Sequence, residues 1–118
     1  PPPAAPRPEP PPPGLSLVLP IYNEELVLER SLATIVAFAE RLGRSFELVC
    51  VDDGSRDQSA AILARAAQAD LRIRALAHGK NQGKGAAVRT GMLAARGDLI
   101  VFMDADLSTP LEELHGFL

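Results

Sequence analysis

Asp104 and Asp106 stand at the end of the apolar run Leu99-Ile100-Val101-Phe102-Met103, with only the small Ala105 between them. Five apolar residues in a row are too few for a typical helix and suit a buried strand. A strand end that presents Asp-x-Asp can hold a hard divalent cation, with water and phosphate oxygens completing its shell. Asp52 and Asp53 end a second apolar run, at 46–51, and lead into Gly54-Ser55. Pro20-Ile21-Tyr22-Asn23-Glu24 ends a first run, at 15–20. Lys80-Asn81-Gln82-Gly83-Lys84-Gly85 adds lysines for anionic oxygens and glycines that let backbone approach a phosphate. A nucleoside diphosphate bridged by a metal satisfies all of these groups at once.

Alternating strands and helices must bring the segments together. After the strand at 15–20, Asn23 is placed to cap a helix with Glu24 and Glu25 in its first turn. Leu28, Leu32, Ile35, Ala39 and Leu42 form one buried stripe of that helix, and Gly43 ends it. A second strand spans 46–51. A second helix spans 58–69, capped by Asp57, with Ile62, Leu63 and Ala66 facing inward. A weaker strand follows at 73–77, then a loop at 79–83. A third helix covers 86–95, with Val88, Met92 and Ala95 on one face. Gly97-Asp98 turns the chain into the strand at 99–103, and Pro110 sits where a further helix starts. This alternation predicts an α/β architecture with a mainly parallel sheet covered on both faces, and such sheets place ligands at the carboxyl ends of their strands.

Composition sets the outer bounds. The chain has 118 residues, enough for one domain. Nine of its 11 prolines fall in residues 1–13, which read as a disordered polyproline-type tail before a domain at 14–118. A net charge of −3 gives no electrostatic reason to propose a nucleic-acid partner. The single cysteine, Cys50, lies in an apolar run and reads as a packing residue. No stretch approaches the roughly 20 apolar residues of a membrane helix. The chain has no initiator Met and stops at Leu118 as a new helical pattern begins, so it reads as a fragment.

Three segments together resemble the family 2 glycosyltransferases: Val18-Leu19-Pro20-Ile21-Tyr22-Asn23-Glu24-Glu25, Val51-Asp52-Asp53-Gly54-Ser55 and Met103-Asp104-Ala105-Asp106. The resemblance runs from Leu15 to Leu118. Residues 81–92 look like the branch that glycosylates polyprenyl phosphates, closer to the dolichyl-phosphate glucosyltransferases than to the mannosyl enzymes; Asp106-Leu107-Ser108-Thr109-Pro110 points the same way.

The resemblance implies a three-layer, Rossmann-like GT-A nucleotide-sugar-binding fold, incomplete at its C-terminus. It implies transfer of glucose from UDP-glucose to a polyprenyl phosphate, with inversion and dependence on Mg²⁺ or Mn²⁺. Pro20, Tyr22 and Glu24 are then expected along the nucleoside, with Asp52 or Asp53 accepting a hydrogen bond from the base. Lys84, joined by Arg89, approaches the base and diphosphate. Asp104 contacts ribose or metal-bound water, and Asp106 coordinates the metal. Acceptor-side residues belong after Leu118, together with contact to the cytoplasmic face of a membrane. The fragment is therefore not expected to turn over alone.

Other readings of the same residues stay open at this stage. Asp52-Asp53-Gly54-Ser55 is also an ordinary strand-to-helix turn, Lys80–Gly85 a solvated loop, and Tyr22 a packing residue. Asp104 and Asp106 could cap a helix before Pro110. His78 and His115 sit in no ligand spacing and read as surface residues. A haloacid-dehalogenase-type phosphatase also ends a strand in Asp-x-Asp, using one Asp as nucleophile, but carries it on its first strand. A dinucleotide-binding domain needs a glycine-rich turn where Tyr22-Asn23-Glu24 stands. A non-catalytic nucleotide-binding module fits every residue named.

Overall fold

Residues 11–105 are described by a computed structural model of the chain. The first ten residues, and with them most of the proline-rich tail, lie outside the described residues, as do Asp106, Pro110 and His115. Four strands alternate with three helices: β1 (Leu15–Ile21), α1 (Leu28–Arg41), β2 (Phe46–Asp53), α2 (Ser59–Ala69), β3 (Ile73–His78), α3 (Lys84–Ala94) and β4 (Leu99–Phe102). The strands form one sheet in the order β3-β2-β1-β4, every pair parallel. Central β2 is buried at all eight positions, which explains its nearly unbroken apolar run.

Strand parity decides which helix each side chain meets. Leu15, Leu17, Leu19 and Ile21 of β1 and Phe46, Leu48 and Cys50 of β2 point to one face. There they join Leu28, Leu32, Ile35 and Ala39 of α1 and Leu63 of α2 in the main core. Each large side chain buried in this way contributes about 1.5–3 kcal/mol. Cys50 is fully buried within this core, and burial pushes its thiol up to about 12. The other face carries Val18, Val49 and Val51, and α3 lies over it.

The α1 stripe, the inward residues of α2 and the closing role of Gly43 (φ +72°) all follow the sequence pattern. Two other expectations fail. Asn23 caps no helix: α1 begins at Leu28, and Asn23 stands in the left-handed region at φ +50°. Its Oδ1 accepts a hydrogen bond from the Arg56 N–H instead. Helix α3 turns Ala87 and Gly91 inward, not Val88, Met92 and Ala95; Met92 is 43% exposed. The reason is distance. A Cβ on Gly91 would sit 2.4 Å from Val18 Cγ1, so the helix approaches too closely for any residue but the smallest.

Candidate functional site: a cleft at the carboxyl ends of the strands

The loops after β1 and β2 are joined by reciprocal hydrogen bonds. The N–H groups of Asn23, Glu24 and Glu25 donate to Ser55 Oγ, Ser59 Oγ and Asp57 Oδ2 at 2.9, 2.8 and 3.1 Å. In return, the Arg56 and Gln58 N–H groups donate to Asn23 Oδ1 and Glu25 Oε2. Asp57 also accepts from the Ser59 N–H at the start of α2, although the cap position of the helix is Gln58, one residue beyond the expected Asp57. Glu24 and Glu25 thus serve the joint between two loops, not the first turn of α1.

Above this joint lies a cleft of about 310 Å³, lined by Pro20, Ile21, Tyr22, Glu24, Asp53, Asn81, Lys84, Ala87, Asp104 and Ala105. Six sequence candidates therefore meet in one place, from the ends of β1, β2 and β4 and the first turn of α3. Lys84 Nζ is ion-paired with Asp104 Oδ1 across the cleft. An adjoining cleft of about 340 Å³ is lined by Tyr22, Asp52, Ser55, Arg56, His78, Lys80 and Asn81, among others. Arg89 is exposed on α3 and lines neither cleft.

The two adjacent acids of β2 differ sharply. Asp53 points to the α3 face and accepts from His78 Nδ1 (2.8 Å), Asn81 Nδ2 (3.0 Å), Gln82 N–H (2.9 Å) and Gly83 N–H (2.8 Å). Burial opposes its ionisation, but the bonds from His78, Gln82 and Gly83 outweigh that and hold its carboxyl below the usual range. Its oxygens are committed to the 79–83 loop. Asp52 points to the other face and is 5% exposed, yet its Oδ1 is buried without any hydrogen-bond partner among the described residues. A buried acceptor left unpaired costs about 1–3 kcal/mol, and Asp52 also lines the adjoining cleft, where its carboxylate can take a donor. Of the two acids, Asp52 is the one with capacity for a ligand.

His78 is not a surface residue. Its side chain is 10% exposed, and Nε2 lies 2.8 Å from Thr90 Oγ1 on α3. The cross-strand pair Asp53↔His78 was the available signal, because partners in register project to the same face. A second carboxylate passed unnoticed in the sequence. Glu47, on the same face of β2 as Asp53, accepts from Ser16 Oγ (2.6 Å), Arg74 (2.8 Å) and the Arg96 N–H (2.7 Å). Burial raises its carboxyl and these bonds lower it, with a net shift downward.

Both shifts have one consequence for acid stability. A carboxyl depressed in the folded state stabilises the fold above its unfolded value and loses that contribution as pH falls through the folded value. The melting temperature should therefore hold steady down to about pH 4 and fall below it. Glu47→Gln should flatten that acid limb in thermal melts across pH; an unaltered limb would contradict the assignment.

The carboxylates of the first cleft, Glu24 and Asp104 beside the committed Asp53, are the ligand type a hard cation of the Mg²⁺ or Mn²⁺ kind takes, with the Lys84 ammonium next to them. Asp104 is its described carboxylate on the β4 side. Among the described residues, no group of three or more His, Cys, Asp or Glu side chains is arranged around one point. No described helix is long and apolar enough to cross a membrane.

Comparison with known proteins agrees with this geometry. Residues 16–118 match the family model "Glycosyl transferase family 2". An undecaprenyl-phosphate 4-deoxy-4-formamido-L-arabinose transferase of Pseudomonas paraeruginosa is 46% identical over 101 residues, covering 85% of this chain and 30% of the relative. A transferase of the same name from Shewanella sediminis is 44% identical over 105 residues, 88% of this chain and 32% of its own length. The chain thus spans about a third of the curated relatives it matches. Among solved structures, the mannosyltransferase PcManGT of Pyrobaculum calidifontis, in complex with GDP-Man and Mn²⁺, superposes with a TM-score of 0.70 at 24% identity. That match covers 84% of this chain and 33% of PcManGT. S. aureus TarS 1-349 in complex with UDP-GlcNAc gives 0.66 at 25% identity, over 87% of this chain and 30% of TarS. The GT-A fold expected from the strand-end motifs is therefore the fold observed, and the chain belongs to glycosyl transferase family 2.

Proposed function

We propose that this chain binds the nucleoside-diphosphate end of a sugar donor for transfer to a polyprenyl phosphate. The observation that carries the reading is the convergence of Pro20, Tyr22, Glu24, Lys84 and Asp104 in one cleft beside the unpartnered Asp52. Tyr22, 44% exposed between the two clefts, offers a ring face to a base. The Asp52 carboxylate, which lines the adjoining cleft, accepts the imide N–H of uracil. Lys84, at the positive end of α3, balances diphosphate charge, and Asp104 keeps that lysine in place.

Asp104 and Asp106 would hold Mg²⁺ or Mn²⁺, and a bound cation would stabilise the charge growing on the departing nucleoside diphosphate. A phosphate acceptor is already an anion and needs less help from a base than a hydroxyl does. It attacks the face of the anomeric carbon opposite the leaving group and inverts it. The reaction takes place at the cytoplasmic face of a membrane. A phosphatase of the haloacid-dehalogenase type is disfavoured, because the Asp-x-Asp follows the fourth of the described strands and not the first.

For the sugar, residues 81–92 favour glucose, whereas the relatives' names favour a formamido pentose. Calorimetric titration with UDP and GDP, each with and without Mn²⁺, tests the site. Metal-dependent binding that prefers UDP supports the reading, and a folded chain that binds neither nucleotide rejects it. Competition between UDP-glucose and a UDP-linked formamido pentose then chooses the sugar. Asp52→Ala should reduce the preference for UDP by about ten-fold, the worth of one hydrogen bond to a charged acceptor, with little loss of stability. Asp53→Ala should act differently, loosening the 79–83 loop. Equal effects of the two substitutions would refute the division of roles.

A further inference from the structure

Asp53 has four donors, and three of them belong to the loop it restrains. The fourth, His78, comes from the end of β3 and ties the carboxylate to a different element. Because the Asp53 oxygens accept two backbone N–H groups, the carboxylate faces His78 as an acceptor and Nδ1 carries the proton between them. Nε2 then meets the Thr90 hydroxyl, which can donate or accept. The ring is a strut between the end of β2 and the second turn of α3.

This strut matters because α3 has little apolar grip on the sheet. Only Ala87 and Gly91 of its eleven residues are buried. At its C-terminal end it is tied through Arg74, which donates to Ala94 O at 2.8 Å and to Glu47. At its N-terminal end the tie is Asp53 to Gly83 N–H, and further on, past the helix's middle, His78 meets Thr90. Lys84 follows Gly83 directly and is paired with Asp104.

We propose that His78 is a positioning residue of the donor site: bridging Asp53 and Thr90, it fixes the 80–84 loop and holds Lys84 where it meets the diphosphate. The functional half of this proposal rests on the donor-site reading above; the structural half does not.

Amide hydrogen exchange on the ligand-free chain, paired with UDP titration in Mn²⁺, separates the two halves. His78→Leu should speed exchange at Gln82 and Gly83 on the order of ten-fold, as loss of a charge-assisted hydrogen bond does, while Val49 and Val51 in β2 stay protected. UDP affinity should fall by a similar factor. His78→Asn, whose amide nitrogen stands near the place of Nδ1, should recover most of the Gln82 and Gly83 protection. Thr90→Val removes the other end of the strut and gives the same readout should the leucine variant not fold.

Unchanged exchange at Gln82 and Gly83 in these variants overturns the proposal, as does faster exchange spread evenly over the whole sheet. Faster local exchange with unaltered UDP affinity also overturns it, since the loop would then move without consequence for binding. Should the wild-type chain bind no nucleotide, the donor-site reading fails, and the exchange data still decide whether His78 fixes the loop.

Discussion

Gly54→Ala is expected to lower stability by about 2–5 kcal/mol and nucleotide affinity by about 100-fold. Gly54 holds φ +73°, a left-handed conformation that costs a residue with a Cβ about 1–2 kcal/mol. Its neighbours make matters worse. A Cβ there would lie 2.5 Å from Asn81 N and from Lys80 C, and 2.9 Å from Lys80 Cα. These are backbone atoms, so no side-chain rotation relieves the contact. Either Gly54 or the 79–83 loop must shift, and overpacking of this kind costs about 1–3 kcal/mol more. The same loop supplies Asn81 to both clefts and leads into Lys84, and misplacing binding groups by about 1 Å can cost 100-fold. Urea denaturation beside UDP titration checks both parts. A variant with wild-type midpoint and affinity would show that the loop does not pass so close.

Glu47→Ala is the second large effect, and it should spare the site. The carboxylate is 4% exposed and ties together three strands and the end of α3. Ser16 is on β1 and Arg74 on β3, while the Arg96 N–H lies just beyond α3. Gly97 extends the network, its N–H donating to Ser16 Oγ at 2.8 Å. Truncation leaves these donors without their acceptor, and Arg74, itself only partly exposed, loses its ion pair. Removing one partner from such a buried pair costs about 3–5 kcal/mol, a large share of the roughly 5–15 kcal/mol that holds a typical domain folded. The midpoint of urea unfolding should fall without a change in slope. UDP affinity of the molecules that remain folded should be unchanged, because the network lies at the opposite ends of the strands from the cleft. A simultaneous ten-fold loss of affinity would mean that the two ends of α3 are coupled.

The elements themselves were legible in the sequence, because periodicity reports burial directly. The stripe from Leu28 to Ala39 and the nearly unbroken apolar run of β2 are examples. Where reading failed, size or distance was the cause. Helix α3 was assigned the wrong face because large apolar residues draw attention, while the helix buries only Ala87 and Gly91 and the contact with Val18 leaves no room for a Cβ at Gly91. Asn23 is a good cap in the abstract, but a partner 33 residues away in the chain, Arg56, holds its side chain. The site followed the same division. Strand ends gave its members, since parallel sheets gather chemistry there. The separate roles of Asp52 and Asp53 required knowing which helix covers which face, and His78 required the register of β3 against β2.

The strand order has a consequence for how the cleft comes into being. In β3-β2-β1-β4 the last strand pairs with the first, Leu15 with Leu99 and Val18 with Phe102. Closing so long a loop is thermodynamically mild, about 0.6 kcal/mol for each doubling of length, but contacts between distant residues are slow to form. A chain emerging from a ribosome N-terminus first can lay β2 beside β1 and β3 beside β2 while the other edge of β1 still waits. Asp104 arrives only with β4. The acid that pairs with Lys84 thus arrives, with Ala105, after the other described walls of the cleft, and a nascent chain cannot close the Lys84–Asp104 side around a nucleotide before β4 is laid down.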